Sequence, residues 1–146
     1  MQIKETSTQR ILRTAYIFLI SLETAFQLFQ AAGFALIKEF LRPYALALAV
    51  FSVFFIVSAI LAGLKKYLPS GIFTLIASFG IAAVGYMLTH PVIEADEYYI
   101  SGIDEGVFWT HYSHALLLIL PAIILIINEI RRKKLEEDAK PYEKQF

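Results

Sequence analysis

The chain has 146 residues, enough for one domain, with a hydrophobic fraction of 58% and a mean hydropathy of +0.60. Soluble domains usually stay at about 45–50% apolar, so the excess points to lipid as the solvent. Its 13 basic and 13 acidic residues cancel in number, and the lack of cysteine excludes disulfides, thiolate metal sites, iron–sulfur clusters and thiol nucleophiles.

The polar start, MQIKETSTQRILR, leads into an apolar run longer than the core of a secretory signal, so that run is expected to be kept as a span. A helix crosses a bilayer with about 20 mostly apolar residues. Four stretches qualify: 15–37, 44–64, 69–89 and 107–127. Backbone polar groups in lipid must be paired within their own segment, so each is predicted to be helical. The predicted fold is all-α, an integral membrane four-helix bundle. Its connectivity is antiparallel and up-down, in a single transmembrane domain over 1–146.

Punctuation agrees with these bounds. Pro43 and Pro69 sit at the starts of the second and third spans, where a missing N–H costs little. Asp104 is an N-cap candidate for the fourth, and Pro121 is expected to kink that span. Small residues mark seams for close helix approach: Ala45, Ala49, Ser52, Ala59 and Gly63 on the second span, and Thr74, Ser78, Ala82 and Gly85 on the third.

Lysines and arginines set the predicted orientation. Four spans put both termini and the 65–66 turn on one side, with 11 basic residues against two, Lys38 and Arg42, on the other. Both termini, including the 128–146 tail, are therefore expected to be cytoplasmic in a multi-pass cell-membrane protein. The 90–106 loop would lie outside, with five acidic residues and no basic one.

The first span carries a polar stripe. Glu23, Gln27 and Gln30 fall at i, i+4 and i+7 on one face. A charge at mid-bilayer costs at least about 2.5 kcal/mol, so this carboxyl must face protein or water. Two readings stay open. In one, Glu23 exchanges a proton or cation and the glutamine amides supply oxygen ligands. In the other, the stripe hydrogen-bonds serines and threonines of neighbouring spans.

The three histidines, His90, His111 and His114, all fall toward the predicted outer face, beside the acidic loop. Imidazoles with Glu97, Asp104 or Glu105 would suit zinc or copper. His90 with His111 or His114, most simply His114, could instead ligate a b-type haem between antiparallel helices. The plain alternative is a set of interfacial histidines held by acidic neighbours. HYSH lacks the glutamate of the H-E-x-x-H zinc signature, and no catalytic triad, phosphate loop or nucleotide fingerprint is present.

Glu23 and Tyr67-Leu68-Pro69-Ser70-Gly71-Ile72 resemble the small multidrug resistance transporters, which carry a membrane-embedded glutamate and a similar turn into the third of four spans. The resemblance covers about a quarter of the chain and implies an ion-coupled exporter. The aromatics that family carries in its third span are replaced by Thr74 and Ala77. The glycine dimer motif is missing, and the 17-residue acidic loop is foreign to the family.

Three functions follow as expectations. The first is an accessory or redox subunit of a membrane complex, with histidines holding copper, zinc or haem b. The second is a proton-coupled carrier of small cations built on Glu23. The third is a structural subunit without chemistry. Expected partners are lipid and either other membrane subunits or further copies of the chain, with no nucleic acid.

Overall fold

The computed structural model describes residues 5–37, 39, 42–89 and 112–143. The main helices are α1 (Ser7–Ile37), α2 (Arg42–Gly63), α3 (Tyr67–Thr89), α4 (Ser113–Leu117) and α5 (Ile119–Glu143), with no strand among the described residues. Four helical segments are long and apolar enough to cross a bilayer. Large apolar side chains cover the outside, among them Phe29 at 79% and Leu36 at 86% exposure. In water such a surface would be a large penalty, so the fold fits a multi-pass membrane bundle.

Helix α1 starts two turns before the predicted span because of a capping box. The Thr6 N–H donates to Gln9 Oε1 at 2.9 Å, and the Gln9 N–H donates to Thr6 Oγ1 at 3.2 Å. Helix α2 ends in a Schellman-type turn. The Lys66 N–H reaches Leu61 O at 2.8 Å, the Lys65 N–H reaches Ala62 O at 3.0 Å, and Lys65 takes a φ of 61°. That tight reversal makes α2 and α3 antiparallel neighbours. Pro69 lies in the first turn of α3, where its missing donor is harmless.

The fourth span breaks as Pro121 requires. Pro121 cannot donate to Leu117 O, so α4 stops there, and the Leu118 N–H turns back to Ala115 O at 3.2 Å. Helix α5 then runs on to Glu143, so most of the 128–146 tail is helical.

Helix α1 packs on α2, α2 on α3, and α3 on both α4 and α5. The α3 seam holds as predicted at Thr74, Ser78 and Gly85, all buried. On α2 the buried stripe is Ala45, Leu48, Ser52, Phe55, Ser58 and Ala62, so Ala49, Ala59 and Gly63 fall off its centre. A straight helix drifts about 20° per heptad, and the stripe follows that drift with large and small residues mixed.

Two glycines let α3 approach the fourth span. A Cβ on Gly71 would lie 2.6 Å from Ile126 Cγ1 and 3.0 Å from Ala122 O, and one on Gly85 would strike the base of the Tyr112 side chain. A Cβ on Gly80 would meet the far end of the Phe51 ring, which can swing aside. Gly85→Ala is therefore expected to cost about 1–3 kcal/mol, and Gly80→Ala less. Thermal unfolding in detergent gives the order; equal midpoints would show that the α3–α4 approach is not tight.

Candidate functional site

The polar groups of the bundle gather at three levels. The first lies at the end carrying the chain termini. Arg13 Nη1 donates to both Glu5 carboxylate oxygens at 2.9 Å, and the Tyr67 hydroxyl donates to Glu5 Oε1 at 2.9 Å. Lys65 Nζ stands 3.5 Å from Glu5 Oε2. On α5, Arg132 grips buried Glu129 with two bonds, of 2.8 and 3.1 Å. Lys133 Nζ also stands 3.9 Å from Glu129 Oε1, so two residues of the basic RRKK run are held by an acid on their own helix. The signal was Glu129 three residues before Arg132, a spacing that puts both on one face.

The second level is a hydroxyl cluster joining α1, α2 and α3. Tyr16 Oη and Thr74 Oγ1 lie 2.6 Å apart, Thr74 Oγ1 and Ser58 Oγ 2.7 Å, and Ser58 Oγ and Ser70 Oγ 3.0 Å. The two serines also donate to one another's backbone carbonyl, each at 2.8 Å. All four side chains are buried. Serines and threonines were one expected set of partners for the Glu23 stripe. Those in this cluster bond to one another and to Tyr16, two turns below Glu23 on α1.

The third level contains Glu23 itself. Both of its carboxylate oxygens are engaged. Gln27 Nε2 donates to Oε1 at 2.6 Å, and His114 Nδ1 lies 2.7 Å from Oε2. The Phe26 ring meets the imidazole edge-on, with centroids 5.0 Å apart. Glu23 is 8% exposed and Gln27 is fully buried. Gln30 stays out of this contact, and its Oε1 is buried without a partner among the described residues.

Sequence placed Glu23 and the histidines in separate groups, and the fold joins one member of each. Sequence-derived depth does not predict the meeting. Glu23 and His114 each lie three residues before the midpoint of their predicted apolar runs, and because those spans run antiparallel the two offsets fall on opposite sides of the midplane, about 9 Å apart. Their backbones belong to the first and fourth spans, which are not among the closely packed helix pairs. Long side chains close that gap. His90, His111, Glu97, Asp104 and Glu105 lie outside the described residues, and so does any convergence of that group. Among the described residues no cluster of three metal-ligating side chains occurs.

Chemically, the contact sets an acid and a base 2.7 Å apart, within hydrogen-bond reach. A proton placed between them can rest on Nδ1 or on Oε2, and Gln27 donates to the other oxygen. No family model, no curated protein and no solved structure matches the chain.

The terminal level carries a pH dependence. Partial burial pushes the Glu5 carboxyl up, but the Tyr67 hydroxyl and the Arg13 and Lys65 cations together hold it below the usual value of 4.5. A depressed acid stabilises the fold fully above its unfolded value, and that contribution disappears as pH falls through the lower folded value. The Tm in detergent is therefore expected to drop below about pH 4.5, with Glu5→Gln flattening part of that drop. An identical acid profile in both proteins would show that Glu5 contributes nothing.

Proposed function

We propose that the chain is a proton-coupled carrier of small cations, with Glu23 as the exchanging group and His114 as its proton partner. The observation that carries this reading is the 2.7 Å approach of His114 Nδ1 to a carboxylate buried among apolar helices. Ionisable groups at such depth are costly and mark ion and proton pathways. A proton shared with an imidazole keeps the site neutral overall. When the imidazole deprotonates, the carboxylate is left with an uncompensated charge, which a small cation can neutralise. Gln27 and Gln30, on the same face of α1, bring amide oxygens as further ligands. The distribution of basic residues supports an orientation with both termini in the cytoplasm and the 90–106 loop outside.

The test is proton movement in vesicles. Everted vesicles carrying an acid-interior gradient receive sodium, potassium or tetramethylammonium, and loss of the gradient is followed with a pH dye. Glu23→Gln should abolish cation-dependent proton release, and His114→Gln should slow it at least tenfold. Unchanged release in Glu23→Gln removes the reading.

One observation favours a metal-binding second reading. Metal-ligating histidines usually present one ring nitrogen to the metal while the other donates to a carboxylate. Glu23 holds His114 in that manner through Nδ1, which leaves the Nε2 lone pair to bind zinc, copper or haem iron. Other ligands would come from His90, His111, Glu97, Asp104 or Glu105. Purified protein would then carry stoichiometric metal or a haem spectrum, lost in His114→Ala. Colourless, metal-free protein that takes up neither zinc nor copper ends this reading.

A further inference from the structure

We infer that protons reach Glu23 and His114 from the terminal end of the bundle, through the hydroxyl cluster and across two waters that meet at Ser78 Oγ. The inference rests on the proton-carrying reading of the Glu23–His114 contact.

The register of α1 and α3 lays out the route. The two helices run parallel, and Tyr16 meets Thr74. Four residues further along lie Ile20 on α1 and Ser78 on α3, and three residues beyond Ile20 comes Glu23. At 1.5 Å per residue, Ser78 is about 6 Å above Thr74 and about 4.5 Å below the level of Glu23. Along the helix axis each rise is within the reach of one bridging water, which spans about 5–6 Å between its partners.

Below this level, four hydroxyls are already in contact. Tyr16, Thr74, Ser58 and Ser70 form an unbroken run of contacts from 2.6 to 3.0 Å. Each hydroxyl has one proton and can also accept, so the run conducts when Ser58 and Ser70 turn their protons from each other's backbone carbonyls into the run. Tyr67, one turn before Ser70, bonds to Glu5 at the surface end.

Above the cluster comes an apolar layer. Ile20, Phe55, Ala77 and Ile81 are fully buried, and Leu118 is 6% exposed. Within it Ser78 is fully buried, and its Oγ has no partner among the described residues. Neighbouring Ser52, by contrast, satisfies itself on Leu48 O at 2.7 Å. A buried hydroxyl left open is rare in folded proteins and is commonly met by an ordered water. Its place, between a hydroxyl run and a buried acid, is where a relay needs one.

The experiment reads protonation of Glu23 directly, from each side. Full-length protein is reconstituted into sealed vesicles and sorted by accessibility of a C-terminal tag. The carboxyl infrared band that vanishes in Glu23→Gln is then followed after a pH jump outside. Wild-type vesicles with the tag outward should respond faster than those with it inward. Ser78→Ala should slow the tag-side response at least tenfold and leave the other side unchanged. Ser78→Thr, which keeps the hydroxyl, should respond within about twofold of wild type. Thr74→Val should slow the tag-side response as Ser78→Ala does. A faster response from the loop side, or an unslowed Ser78→Ala, overturns the route while the proton reading stands. If no Glu23 band moves with pH from either side, the proton reading itself fails and the route with it.

Discussion

Lipid accepts and donates no hydrogen bonds, and this constraint shapes each polar position in the molecule. Ser21 and Thr24 return their hydroxyls to backbone carbonyls one turn back, at Ile17 and Ile20. Those groups therefore need nothing from another helix. Groups that cannot satisfy themselves must find partners across helices. Tyr16, Ser58, Ser70 and Thr74 do so in one place, and Glu23 does so with Gln27 and His114. The tertiary arrangement is in large part the solution to this pairing problem.

Its energetics are modest per contact. Hydrogen bonds between membrane helices average about 0.6 kcal/mol, because the separated helices also find partners. Four hydroxyls joined across three helices act together, and their main effect is to fix register. The glycine approaches of α3 to the fourth span supply the other half of the specificity. Gly71 and Gly85 admit Ile126 and Tyr112 where a methyl group would not fit. Close packing on one side of α3 and hydroxyl bonding on the other hold it as the central helix of the bundle.

The contact between Glu23 and His114 differs in kind. It joins the first and fourth spans, whose backbones are not closely packed. It also sits just before the break at Leu118, so His114 rides on a one-turn helix set apart from α5. A buried acid–base contact across a loosely packed seam, beside a proline break, is a weak way to build a rigid bundle. It suits the proton-coupled role proposed for Glu23 and His114.

Periodicity and length alone determined the four helices, their antiparallel order and the break at Pro121, because lipid imposes a span length and proline removes a donor whatever surrounds it. The polar face of Glu23, Gln27 and Gln30 was equally legible from helical spacing. Local signals that went unread, such as the Thr6–Gln9 box, moved only a helix end. The pairing of Glu23 with His114 was decided by the tertiary structure. Ninety-one positions separate the two residues, and only the depth and rotation of α4 against α1 bring them together. The same holds for Tyr16 with Thr74 and for the open hydroxyl of Ser78. One-dimensional spacing reports which face a residue shares on its own helix, and carries no information on the face it meets across the bundle.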